Sequence, residues 1–246
     1  MYLPPQFASQ DPRLAARLMR EHPFASLITL DDEGLPFVTH LPLHLRKEEG
    51  GHFVLLGHVA RPNPQWRHLQ QRPRAVVSFL GPHAYMSPRV YPDLARVPTW
   101  NYVAVHCTVT ARLIDHDDAA TKDALLKQLI ADHEPGYAPQ WQAMAPGLAR
   151  QLLAGIVAFE LRVDDWQCKL KLNQHRPESH AALHATYAQG GAPQQALAGW
   201  MERSGFRDGC PITTILLELA PAETAVTAAG QAAFDSWTAI FAAALT

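Results

Sequence analysis

The sequence predicts an α+β fold that is mainly β, a barrel of short strands with helices at its periphery. The first observation behind this is Tyr102 to Ile114, where Val103, Val105, Cys107, Val109, Ala111 and Leu113 alternate with His106, Thr108, Thr110 and Arg112. That is a period of two held along a whole bent strand with one face in a core. The second is the recurrence of short apolar runs at turn-separated intervals, with few helical stretches between them. The third is size: 246 residues suit one large domain, or one domain with an appendage, and can bury a real core.

Taken in order, Asp11-Pro12 opens a short helix, a cap followed by proline at the first helical position, and His22-Pro23 closes it. Ala25 to Leu30 reads as a strand, Asp31 to Gly34 as a turn, and Leu35 to Leu45 as extended chain. A hairpin loop is expected at Lys47 to Gly51, then a strand over Phe53 to Gly57. Asn63-Pro64 caps a second short helix running to Gln71, and Arg74 to Leu80 returns as a strand. Gly81 to Tyr102 reads as a long connection rich in proline and aromatics.

Beyond the long strand, Asp117 to Asp132 is a predicted helix, Pro135 to Pro146 irregular, and Leu148 to Leu153 a further turn or two of helix. Strands follow at Ile156 to Val163 and Trp166 to Leu172, then helices at Glu178 to Gln189 and Gln194 to Ser204. The expected division is a main domain over 1–207 and a C-terminal extension over 208–246. From Pro211 on there is no Lys or Arg, and Phe234, Trp237, Ile240 and Phe241 recur at helical spacing. That predicts an amphipathic helix packed on the domain or on a partner chain.

Composition excludes several classes. Formal net charge is -2, so no global basic field draws in nucleic acid or anionic lipid. Cys107, Cys168 and Cys210 are odd in number and far apart, which argues against a disulfide framework or zinc ribbon and suits a reducing, cytoplasmic compartment. MYLPPQF has neither a basic nor an apolar signal region, and no run of about 18 apolar residues predicts a membrane span. GxGxxG after a strand, GxxxxGK[ST], HExxH and GxSxG are all missing. His40 and His44 are the one weak metal pairing among 13 histidines, and solvated or structural histidines explain them better, so no metal and no catalytic residue is assigned.

Two segments carry chemistry. GHVARPNPQW, Gly57 to Trp66, joins a strand to a capped helix. Gly57 permits close backbone approach to a ligand, Arg61 presents a fork of donors suited to phosphate, and Asn63 begins a helix. The competing reading makes Asn63 a cap, Arg61 a surface residue and Trp66 core. KLKLNQHRP, Lys169 to Pro177, projects Lys169, Lys171 and Asn173 from one strand face, followed by Gln174, His175 and Arg176. A cationic strip of this kind suits a phosphate or the pyrimidine side of a flavin; the alternative is a solvated basic face. Thr39 and His40 could meet the polar edge of a ring. In the long connection Tyr85, Ser87, Tyr91, Trp100 and Asn101 offer flat surfaces and hydrogen-bonding groups, or seal the barrel end.

MYLPPQF, HPFASLIT, THLPL, GHVARPNPQW, GPHAYMSP, VPTWNY and KLKLNQHRP occur in the order seen in the PaiB family of FMN-binding negative transcriptional regulators, which the chain resembles from Met1 to about Arg207. The resemblance implies a homodimeric split β-barrel with FMN at the interface. It implies that Gly57, His58, Arg61 and Asn63 meet the flavin, with Arg61 nearest the phosphate, and that Thr39 and His40 flank the ring. Trp100, Asn101, Lys171, Asn173, Gln174 and Arg176 would complete the site, some from the partner chain. The sequence departs from the family where serine is expected at Asn173 and asparagine at His175; a histidine there could titrate near neutral pH.

Three functions follow. The resemblance implies a regulator whose flavin reports redox or metabolic state. DNA enters by resemblance alone, since no helix-turn-helix or basic helix is evident and DNA binding would need a local patch such as Arg13, Arg17 and Arg20 with Arg72 and Arg74. The alternative is an FMN-dependent oxidoreductase using NAD(P)H, of the flavin reductase or pyridoxamine phosphate oxidase kind. The third is a structural dimer with an empty barrel.

Overall fold

The computed structural model describes residues 1–47, 53–93, 96–115 and 117–205. Beyond Lys47, the hairpin loop expected at 47–51 lies outside the described residues, as does the C-terminal extension with its helical spacing of Phe234 and Trp237.

The chain runs β1 (Ala8–Ser9), α1 (Pro12–Glu21), β2 (Phe24–Leu30), β3 (Pro36–Pro42), β4 (His44–Lys47), β5 (Phe53–Ala60), α2 (Gln65–Gln71), β6 (Arg74–Met86) and β7 (Thr99–Leu113). Then come α3 (Ala119–His133), α4 (Ala138–Gln142), α5 (Pro146–Ala154), β8 (Ile156–Lys171), α6 (His180–Ala188) and α7 (Ala192–Ser204). It forms two compact units. One comprises Met1–Leu3, Ser9–Pro82 and Tyr102–Leu170; the other comprises Pro4–Ala8, His83–Asn101 and the chain from Lys171.

The strands are ordered β3-β2-β6-β7-β8-β5-β4, with β1 paired to β8. β3 and β4 stand at opposite ends of that order, yet only Leu43 separates them in the chain. The sheet therefore curls until its two edges meet, and the predicted mainly β, α+β split barrel is what forms. Leu27, Leu43, Leu55, Val77, Phe79, Val105, Cys107 and Phe159 fill the first unit's interior. A Cβ on Gly57 would lie 2.5 Å from Leu43 Cδ2 and 3.3 Å from Phe159 Cε2, so packing at the closure demands glycine there.

Helix starts follow the predicted chemistry. Asp11 Oδ1 accepts from the Arg13 N–H at 2.8 Å ahead of Pro12, and Asp118 Oδ1 accepts from the Thr121 N–H at 2.9 Å to open α3. α3 buries Leu125 and Leu129 against Val54, Leu56, Ile114 and Ala158, covering the outer side of β5 and β8.

Two expectations change. The connection expected over Gly81 to Tyr102 is strand at both ends, because β6 continues to Met86 and β7 starts at Thr99. Gly-Pro reads as a break, but a Cβ on Gly81 would lie 2.6 Å from Val103 Cγ2, so its absence lets β6 press close. Exposure alternates on both sides of a buried Gly81-Pro82 step, leaving Leu80 and His83 both exposed. The two strands expected across Asp164-Asp165 are one, β8. There Asp164 is engaged by the Thr110 hydroxyl at 2.6 Å and by Arg162 at 2.9 Å.

In the second unit α6 and α7 form a helical hairpin around buried Leu183, Tyr187, Leu197, Trp200 and Met201. Gly205, at φ +62°, ends α7 in the left-handed conformation. No helix among the described residues is long and apolar enough to cross a membrane.

Candidate functional site

In the first unit, Thr39 and His40 leave β3 on opposite faces, as a pleated strand requires. Thr39 donates to Gln65 Oε1 at 2.8 Å and accepts from Asn63 Nδ2 at 3.2 Å. Gln65 is fully buried and its Nε2 donates to Thr29 Oγ1 at 2.7 Å, with His68 Nδ1 3.4 Å from that hydroxyl. Asn63 Oδ1 accepts from the Gln65 N–H at 2.9 Å, which starts α2 as predicted. The structure therefore gathers Thr39 and Asn63 into one polar network that anchors α2. Gln65, Thr29 and His68 escaped the sequence reading, because a glutamine on a short helix gives no signal of burial.

His40 lies on the outer face, its Nδ1 3.0 Å from Ser26 Oγ. His44 instead pairs with Asp132, so the two histidines part company. Around His40, cross-strand pairing sets Ser26 beside His40 and Ser78, and Ile28 beside Val38 and Val76. Phe24 is 68% exposed, Leu80 53%, Leu30 49% and Val38 46%, so this is an open apolar face with one polar row.

Gly57 is buried by the barrel interior. His58 shares the strand face of Leu56 and is half-buried; its Nδ1 is buried without a hydrogen-bond partner, and burial lowers its pKa. Arg61 bridges chain segments: Nε donates to the Ala154 carbonyl at 2.9 Å, Nη2 to the Ile156 carbonyl at 3.4 Å, and its backbone N–H to the Gly155 carbonyl at 2.9 Å. Trp66 Nε1 in turn donates to the Arg61 carbonyl at 3.0 Å.

The expected basic patch is largely neutralised locally. Arg13 pairs with Asp11 at 3.2 Å and Arg17 with Glu21 at 2.6 Å, while Arg72 donates to the Leu30 and Asp31 carbonyls.

Lys169 belongs to the first unit and is 6% exposed, its Nζ on the Tyr2 carbonyl at 3.0 Å and over the Tyr2 and Tyr102 rings. Lys169 is therefore not part of a solvated basic face.

In the second unit, Lys171 Nζ donates to Thr99 Oγ1 at 2.6 Å. Asn173 takes φ +67°, where asparagine is tolerated. Its side chain accepts from Tyr91 OH at 3.0 Å and donates to Ser179 Oγ at 2.7 Å. Gln174 Oε1 accepts from the Leu172 N–H at 3.0 Å. Both thus build the turn that presents Arg176. His175 meets Phe7 edge to face, and burial, followed by the Arg176 charge, lowers its pKa. Trp100 is exposed, with Tyr85 edge-on to it, whereas Asn101 is buried and donates to Tyr187 OH at 3.1 Å. Arg96, Thr99 and Phe7 join this group, although no local motif marks them.

The curled sheet and its strand-to-helix turn define a split β-barrel protein. The chain belongs to the family described as "Putative FMN-binding domain", whose model matches residues 1–165, and FMN is accordingly its cofactor. Residues 192–246 match the family described as "Transcriptional regulator LmrA/YxaF-like, C-terminal domain", so the segment expected to extend past the PaiB resemblance has a likeness of its own. The chain is 35% identical over 179 residues to protease synthase and sporulation protein PAI 2 of Bacillus subtilis, the PaiB protein, covering 73% of this chain and 84% of that one. Two solved structures share the fold. The flavocytochrome Anf3 from Azotobacter vinelandii has a TM-score of 0.53 and 19% identity, covering 67% of this chain and 69% of its own. The FAD and heme binding protein from Mycobacterium smegmatis has a TM-score of 0.50 and 22% identity, covering 67% and 73%.

The residues present fit FMN. In the first unit, Arg61 supplies a cation for a phosphate ester, the His40 ring lies on an open apolar face, and the buried polar atom His58 Nδ1 has no partner.

Proposed function

We propose that the chain works as a homodimeric, cytoplasmic, FMN-binding regulator of the PaiB type, with the flavin ring on the open face of β2, β3 and β6. One observation carries this reading: the Ser26, His40, Ser78 row crossing an otherwise apolar exposed face. A flat ring with polar edges needs apolar area and a few aligned hydrogen-bonding groups. A second copy of the chain covers the rest of that face, since contiguous exposed apolar surface marks an interaction site.

With Nδ1 turned to Ser26, His40 keeps Nε2 for the polar edge of the ring. Arg61 spends part of its fork on the carbonyls after α5 and directs the remaining N–H groups to the phosphate. Thr39 and Asn63 hold α2 in place, and Gly57 and His58 carry the strand into the turn. Bound FMN supplies a redox couple that the protein itself lacks.

The test is the visible spectrum of the purified chain with its oligomeric state, compared with His40→Ala. Flavin retained by the wild type and weakened in the variant supports the reading. A colourless chain that ignores added FMN ends it. Regulation through DNA is tested by gel shift on the chain's own upstream DNA at stated salt. No shift there removes direct repression.

A further inference from the structure

We propose that the second unit contains a separate binding site for a small anionic metabolite, one carrying a phosphate or carboxylate beside a hydroxyl or amine. The site is a cavity of about 240 Å³ lined by Phe7, Tyr91, Arg96, Asn101, Lys171 and Arg176 among others, all of them residues of that unit. Pockets for drug-sized ligands run about 300–1,000 Å³, so this one suits a compact ligand and not a whole flavin.

Its chemistry is one-sided. Three permanent cations line it and no carboxylate does. Asp93 and Glu178 approach Arg96 at 3.5 and 4.0 Å, yet neither lines the cavity, and Arg96 Nε is buried without a partner. Arg176 has no ion pair among the described residues. Thr99 steers Lys171 Nζ, and the left-handed turn at Asn173 fixes where Arg176 stands.

The second observation is Asn101. It is 1% exposed, its side-chain hydrogen bonds to Met86 and Tyr187 both use Nδ2, and Oδ1 is buried with no partner. A buried acceptor left unmade is costly, and a hydroxyl or amine on a bound ligand would satisfy it. Phe7 and Tyr91 supply apolar walls. The cations thus select an anion, and Asn101 selects a neighbouring donor. The inference stands on this cavity and does not depend on where the flavin lies. For a flavin-bearing regulator it supplies a second input.

The test is calorimetric titration of the full FMN-loaded chain at fixed ionic strength with glycerol 3-phosphate, glycerate, inorganic phosphate and glycerol. Saturable binding of glycerol 3-phosphate or glycerate, tighter than phosphate and absent for glycerol, is expected; the stronger of the two names the anion. Arg176→Gln, whose side chain supports no other group, should weaken that binding about tenfold or more. No saturable binding, or affinity unchanged in Arg176→Gln, overturns the proposal. So does competition between FMN and the probe, which would make the cavity part of the flavin site. A chain that holds no flavin defeats the functional reading instead, and the same titration of the flavin-free chain still decides the cavity.

Discussion

Arg61 reaches from the strand-to-helix turn to the carbonyl oxygen of Ala154, 2.9 Å from its Nε, while its backbone N–H binds the Gly155 carbonyl at the same distance. One residue therefore ties the turn after β5 to the end of α5. Arg61→Ala should lower the stability of the flavin-free protein by about 1–3 kcal/mol, measured by urea unfolding. If Arg61 also reaches phosphate, FMN affinity falls by a further 1.5–3 kcal/mol or so while riboflavin affinity does not. Equal loss for both ligands would make the residue purely structural.

Gln65 links Thr29 to Thr39 from a fully buried position. Gln65→Leu takes one hydrogen bond from each hydroxyl, and a loss of about 2 kcal/mol or more is expected from unmade buried hydrogen bonds. Denaturation midpoints matching the wild type would show that water replaces the amide without cost.

The contact of Gly57 with Leu43 sets a steric test. Gly57→Ala should cost about 1–3 kcal/mol by overpacking, and Leu43→Ala in the same chain should recover part of it. Additive losses in the double variant would refute the contact as the reason for glycine.

Asn173 combines a left-handed backbone with side-chain bonds to Tyr91 and Ser179. Stability should therefore run Asn173 above Asn173→Gly above Asn173→Ala. Both variants lose the bonds, and alanine adds about 1–2 kcal/mol of left-handed strain. An alanine variant as stable as the glycine one would contradict the φ of +67°.

Burial holds the pKa of His58 below its usual 6.5. The unfolded chain then takes up a proton that the folded chain resists. The stability tied to His58 is complete above pH 6.5 and is lost as pH falls from there toward the lowered value. Unfolding measured above and below pH 6.5 should show this slope, and His58→Gln should flatten it. His106 and His175, also lowered by burial, add slopes of the same sign.

The motifs that could be read in the sequence were those with local causes. Asp11 and Asn63 announce their helices because capping needs only neighbours in the chain. The strand from Thr99 shows through its alternation because one face is buried along its length. Gly81-Pro82 and Asp164-Asp165 misled because their local meaning, a break, is overruled by distant partners, Val103 in one case and Thr110 in the other. Thr39, His40, Arg61 and Asn173 were all picked out, but not what each touches.

The sequence by itself determined the class of fold, the helix caps and the segments where chemistry concentrates, since propensity, periodicity and motif order are properties of adjacent residues. Only the tertiary structure decided the work of each side chain within them. It sent Thr39 inward to Gln65 and His40 outward to Ser26, fastened Arg61 to Ala154, and assembled Arg96, Asn101, Lys171 and Arg176 around one cavity. Such partners lie tens of residues apart in the chain, and a hydrogen bond or ion pair between them exists only after burial has fixed both ends.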